Sequence, residues 1–202
     1  MVLTIKFACG RLHAMKIKNQ VALNIRFLLW QKGVEKTSWS EVLSEWIDCK
    51  IPRAEILLDQ GDMLIEEIEC LSERVKVSKR NILHSKLYLK VNIFSENIKY
   101  LFNSIGHGGQ QKIAQELQLD PTTISRWKNG TLKKPGTRNH NLLKKHFHLS
   151  EEIDLCDHPI FLSNKPITIY EKKTLLIDGI NSMDSSSLKD LFPALIKLIN
   201  YK

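Results

Sequence analysis

The chain repeats itself. "NIRFLLW", from Asn24 to Trp30, and "NIKYLFN", from Asn97 to Asn103, agree in type in the same order: Asn, Ile, a base, an aromatic, Leu and an apolar residue. Behind each comes an amphipathic stretch, "SEVLSEWI" or "QQKIAQEL", and behind that a proline-led one, "IPRAEILLDQG" or "DPTTISRWKNG", closing on an amide and Gly. Self-similarity of this kind marks a structural unit used twice, so a single indivisible core is the wrong expectation.

Period assigns the unit its class. "ALNIRFLLW", "RAEILLDQ", "DMLIEEIECL" and "SKRNILHSKL" place apolar residues at steps of three and four, the spacing of one helix face. The expectation is an all-α fold of tandem helix-turn-helix-type units with a small C-terminal helical hairpin. Residues 1–15 would be an arm or a mis-assigned start, with Met15 the alternative initiator. Residues 16–90 would be the first unit, 91–155 the second, and 156–202 a C-terminal helical segment that dimerises. In that last segment Leu188, Leu191, Leu195, Ile196 and Ile199 share a face, Ser185 to Ser187 offer an N-cap, and Pro193 predicts a kink or a late helix start.

Composition narrows the partners. Of 202 residues, 43% are hydrophobic, enough for a packed core, and the net charge of +8 favours an anionic partner. Lys6 interrupts the short apolar run of "MVLTIKFACGRLHAMK", and no small-residue cleavage site follows, so it is not read as a secretory leader. No stretch approaches the ~18 apolar residues of a membrane span. Cys9, Cys49, Cys70 and Cys156 are scattered, which predicts a reducing cytoplasm rather than a disulfide framework. His146, His148, Cys156 and His158 cluster in sequence but are read as free polar side chains. Neither a metal nor a cofactor is expected.

Charge separates the two copies. Between Asn24 and Gly61, Arg26, Lys32, Lys36, Lys50 and Arg53 face Glu35, Glu41, Glu45, Asp48, Glu55 and Asp59. Between Asn97 and His148, Lys99, Lys112, Arg126, Lys128, Lys133, Lys134, Arg138, Lys144 and Lys145 face only Glu116 and Asp120. Only the second copy should attract phosphates; the first would repel them at its own third helix.

In the second copy a helix over Gln110 to Leu117 turns inward Ile113, Ala114 and Leu117, with Ala114 small enough for a steep helix crossing. A turn, Gln118-Leu119-Asp120, follows. Asp120 is suited to cap the next helix, Pro121 to begin it, and Asn129-Gly130 to end it. Leu119, Ile124 and Trp127 give that helix a narrow buried stripe, which leaves Thr122, Thr123, Arg126 and Lys128 outward. Arg can pair bidentately with guanine, and Thr can meet a base edge or the thymine methyl. "TLKKPGTR" then adds Lys133, Lys134 and Arg138 for the flanking backbone.

These residues, with "QQKIAQELQLDPTTISRWKNGTLKKP" as core, resemble the helix-turn-helix domains of the phage-repressor, Cro-like or XRE class over about Asn97 to Leu149. The resemblance implies a domain of five short helices whose second and third read DNA, acting as a dimer on a palindromic operator. It places base contacts on Pro121, Thr122, Thr123 and Arg126. It places phosphate contacts on Gln110 and on Asn129 with the loop after it; Gln111 adjoins Gln110 at the helix start. Where the family has a turn glycine, this chain has Gln118.

The function expected is that of a cytoplasmic, nucleoid-associated transcriptional regulator of bacterial or phage type. It would bind double-stranded DNA as a homodimer and act as a repressor, without enzymatic activity. Glu41, Glu45 and Asp48 lack the convergent His, Lys or metal cluster of a catalytic site. The second reading is a DNA-docking regulatory subunit of a mobile-element, toxin-antitoxin or phage-defence system, its residues 16–90 gripping a protein.

Overall fold

The computed structural model describes residues 19–105 and 109–200; the N-terminal arm expected over residues 1–15, with Cys9 and Met15, lies outside them. The described chain is all-α. Helix α1 spans 19–31. It is followed by α2 (Trp39–Ile47), α3 (Ile51–Gln60), α4 (Ile65–Val75) and α5 (Lys79–His84), and a 3-10 turn, Leu87–Lys90, closes this half. The second half has α6 (Ile93–Asn103), α7 (Gly109–Glu116), α8 (Pro121–Lys128), α9 (Thr137–His146) and a closing 3-10 turn, Ile160–Leu162. Helices α10 (Ile169–Asn181) and α11 (Ser185–Asn200) end the chain. Among the described residues no helix is long and apolar enough to cross a membrane.

The repeat read from sequence has a physical counterpart. Asn24 is fully buried and donates through Nδ2 to the carbonyls of Ile82 (2.8 Å) and Ser85 (2.6 Å), while its Oδ1 accepts from the Leu87 amide (3.0 Å). Asn97, also fully buried, donates to Leu155 (2.8 Å) and His158 (2.7 Å) and accepts from Phe161 (3.2 Å). The sequence separations are 58, 61 and 63 in one half and 58, 61 and 64 in the other. A buried carboxamide must satisfy both ends, and in both halves it does so by tying the first helix to the closing turn. Residues 156–162, assigned from sequence to the C-terminal piece, thus belong with Leu155 to the lid of the second half.

Backbone conformation repeats as well. Asp48 (φ 51°) and Gln118 (φ 52°) are left-handed at the same point of the α2–α3 and α7–α8 turns. The next amide bonds back in each case, Cys49 to Ser44 at 3.0 Å and Leu119 to Ala114 at 2.8 Å. Lys76 (φ 56°) and His148 (φ 51°) match behind α4 and α9, where Val77 bonds to Ser72 and Leu149 to Lys144. The offset relating Asp48 to Gln118 also relates the buried pair Ala54 and Leu57 to Ile124 and Trp127. Under it Pro52 stands opposite Thr122 and Ile56 opposite Arg126. Matching the third helices proline to proline, as the sequence invites, is therefore one residue out, because burial rather than the proline sets the register.

Two apolar cores result. One is built on Phe27, Leu29, Trp39, Leu43 and Leu57, the other on Phe94, Ile98, Trp127, Leu143 and Phe147. Phe161 and Leu162, on the second half's closing turn, are buried in the first core, where Phe161 meets the Trp30 ring edge-on at 5.0 Å. Arg26 Nη1 donates to Asn164 (3.0 Å), and Lys165 pairs with Asp59 (2.9 Å), which fixes the connector to α3.

The terminal hairpin differs in detail from its sequence reading. Asp184, not Ser185 to Ser187, caps α11: its Oδ1 accepts from the Ser187 amide at 2.8 Å. The helix begins at Ser185 and runs through Pro193, so its start is not late. Leu188, Leu191 and Leu195 are half-buried and Ile196 is exposed; the side chain of Ile199 lies outside the described residues.

Candidate nucleic-acid interface

Helix α8 is short, and its position is determined at both ends. Asp120 accepts the Thr122 amide at 2.8 Å, and this bond, with the positive Arg126 nearby, holds its carboxyl below the usual range. Pro121 supplies the first helical φ and lacks only an amide hydrogen that the helix could not use. Ile124 and Trp127 are buried, and the Trp127 ring meets Phe94 edge-on at 5.9 Å. At the far end Ser95 Oγ donates to the Lys128 carbonyl at 2.6 Å, while Asn92 Oδ1 caps α6 through the Ser95 amide at 3.1 Å. Gly130 (φ 73°) completes the stop, and a Cβ there would stand 3.6 Å from Asn92 Nδ2. Ser95 carries no sequence signal of this role, since its partner lies more than thirty residues downstream.

Helix α7 packs beside it with Ile113, Ala114 and Leu117 buried, and runs from Gly109 to Glu116 rather than from Gln110 to Leu117. The Gln110 side chain lies outside the described residues; Gln111 is exposed. Pro121, Thr122, Arg126 and Asn129 are exposed as expected, with Lys133, Lys134 and Arg138 exposed in and after the following loop. Thr123 and Lys128 are half-buried, so they stand at the border of the outer face rather than at its centre. Ser125, which the sequence reading passed over, is exposed. Thr122, Ser125, Arg126 and Asn129 therefore form one polar strip at helical spacing.

Three of the bases counted from sequence have partners of their own. Lys144 is buried and donates to the Glu151 carbonyl beyond α9. Lys99 is paired with Glu96 at 2.7 Å, one residue outside the stretch compared, and Lys112 stands 4.0 Å from Glu116. The positive surface thus narrows to α8 and the segment behind it, where Asp120 is the only acid from Gln118 to Leu149.

The first half builds the same frame with a different face. Arg53 grips Glu67 with both prongs (2.7 and 2.8 Å) and the Asp62 carbonyl at 2.7 Å, and this grip holds the Glu67 carboxyl below its ordinary value. It is thereby withdrawn from any phosphate. Glu55 is exposed at the position of Ser125, and Ile56, 43% exposed, stands at that of Arg126. The Lys165 hydrogen bond similarly depresses the Asp59 carboxyl.

The His/Cys group holds itself by local bonds. His158 Nδ1 accepts from the Asp154 amide at 2.8 Å, and the Cys156 amide bonds Asp154 at 2.8 Å. His146 packs on Phe147 and Tyr170, with burial pushing its pKa down. Among the described residues no cluster of His, Cys, Asp and Glu is arranged to hold a metal ion.

A further cavity, of about 460 Å³, lies where the halves and α10 meet, lined among others by Lys36, Tyr100, Asn103 and Glu171. The Lys36 ammonium is buried there without a hydrogen-bond partner, 3.9 Å from the centre of the Tyr100 ring. The Tyr100 hydroxyl donates to Glu171, which also caps α10 through the Thr168 amide at 3.0 Å.

Neither a family model, nor a curated protein, nor a solved structure matches the chain.

Proposed function

We propose that the chain is a sequence-specific double-stranded DNA-binding regulator, a cytoplasmic repressor that places α8 in the major groove and binds a palindromic operator as a dimer. The carrying observation is the outer strip of α8: Thr122, Ser125, Arg126 and Asn129 stand exposed at helical spacing on a helix capped by Asp120 and anchored by the buried Ile124 and Trp127. Thr122, Ser125 and Arg126 supply base-directed groups, while Asn129 at the end of the strip and the lysines and arginine behind it are directed to the backbone, the division of labour a groove-reading helix requires. The left-handed Gln118 turn supports the same reading, because it sets α7 across α8.

The test is a mobility shift on the promoter upstream of the chain's own gene at physiological salt. Arg126→Ala should cost ~1–3 kcal/mol and relax preference at one or two base pairs, whereas Lys133→Ala should weaken all sequences alike and lower the salt slope. Equal loss on promoter and random DNA from Arg126→Ala contradicts the base-reading role.

One observation favours the second reading, a DNA-docking subunit with a protein partner. Where α8 shows polar groups, α3 shows Ile51 and Ile56, with Leu64 and Ile65 exposed at the start of α4. Stoichiometric co-purification of a partner, lost in Ile56→Glu, would select it.

A further inference from the structure

The last two helices expose a run of large apolar side chains. Leu175, Leu176, Ile177 and Phe192 are each more than half exposed, and Met183 and Ile196 about 40%. At roughly 100 Å² for a whole Leu-sized side chain, the exposed parts of these six come to about 300 Å² of apolar area per copy, enough for the apolar centre of the ~800 Å² that one partner gives a standard interface. No residue of α10 is fully buried.

The surface has relief. Between the two helices runs an apolar groove of about 420 Å³, lined by Leu175, Leu176, Gly179, Ile180, Met183 and Leu191. Phe192, next in the chain to the groove's Leu191, does not line its own groove and is 56% exposed. Gly179 stands inside α10, where glycine is the poorest helix former after proline. A Cβ there would meet nothing within 4 Å, so packing within the chain does not call for it. A small residue at that point leaves room for something from outside.

We propose that the α10–α11 hairpin is a self-association surface, in which Phe192 of one copy seats in the groove over Gly179 of a second copy and the second copy returns the contact. This names the surface for the dimer assumed in the functional reading and rests on that reading only for its purpose. A knob and a hole on one hairpin are what an isologous two-fold contact needs. Charge favours a second copy as the occupant. Lys172, Lys173, Lys189 and Lys197 balance Glu171, Asp178, Asp184 and Asp190 over residues 169–200, so like meets like without the repulsion the +8 chain has elsewhere. Neither Phe192 nor any residue lining the groove belongs to α8.

The test is the mass of the full chain in solution without DNA, by sedimentation equilibrium across a concentration series. The wild type should be a dimer, and Phe192→Glu and Gly179→Leu should each weaken it about 30-fold or more, the loss expected of a central aromatic contact. Gly179→Leu should also raise the melting temperature of the monomer, since it removes a helix-interior glycine into open space, and that separates loss of docking from loss of folding. Ile56→Glu, on the first half, should leave the dimer intact. A monomeric wild type, a dimer untouched by both hairpin variants, or one broken by Ile56→Glu overturns the proposal, as does an open ladder of higher oligomers. The DNA reading fails separately, in the Arg126→Ala titration.

Discussion

Asn24 and Asn97 each close one half of the chain by offering two donors and one acceptor to backbone groups about sixty residues away. Changing either to Asp keeps the shape but sets a carboxylate oxygen against two carbonyls. Asn97→Asp and Asn24→Asp should therefore each destabilise the fold by about 2–4 kcal/mol, the order expected when buried polar partners are left unmade. Denaturant unfolding of the full chain checks this, and a loss below ~1 kcal/mol would contradict it. Both residues were legible as the first letter of the repeat, but their partners were not, since a backbone carbonyl has no sequence signature. The same blindness affected Lys144 and Arg53: as letters they are positive charges, yet one ties down the end of α9 and the other is spent on Glu67.

Elements were legible where their ends are chemical. Asp120, Pro121 and Asn129-Gly130 announced α8, and the capping and the positive φ of Gly130 follow them. The relation of α3 to α8 was misplaced by one residue because the eye matches prolines, whereas the chain matches what it buries. Gln118 is the element-scale test. In the left-handed region a side chain costs about 1 kcal/mol, so Gln118→Gly should stabilise the fold by roughly that amount while preserving DNA affinity. The urea midpoint reports it; a destabilised Gln118→Gly chain would mean that the turn does not carry the strain assigned to it.

At the scale of the whole molecule the halves interlock through Phe161 and Leu162 and through Lys36 on the Tyr100 ring, contacts that no local pattern foretold. Burial holds the Lys36 amine down at about 8, against an ordinary value of 10.5, with Glu171 resisting the shift. Between those values the unfolded chain binds more protons than the folded one, so stability should rise with pH from about 8. The Tyr100 hydroxyl, pushed up by burial and by Glu171, acts in the opposite sense once an unfolded tyrosine begins to ionise near pH 10. The rise therefore belongs to the window between about pH 8 and pH 10. Unfolding free energies at both ends should show it in the wild type and not in Lys36→Met, and an equal rise in the variant would remove Lys36 as its source.

The central claim, that α8 of the second half reads base sequence, is tested most directly by selecting duplexes from a random pool with the full chain at physiological salt. The account predicts enrichment of two inverted half-sites about one helical turn apart, with at least one guanine in each half that loses its preference in Arg126→Ala. A pool that stays random through selection, or an enriched site whose bases are all unchanged by Arg126→Ala, would contradict it.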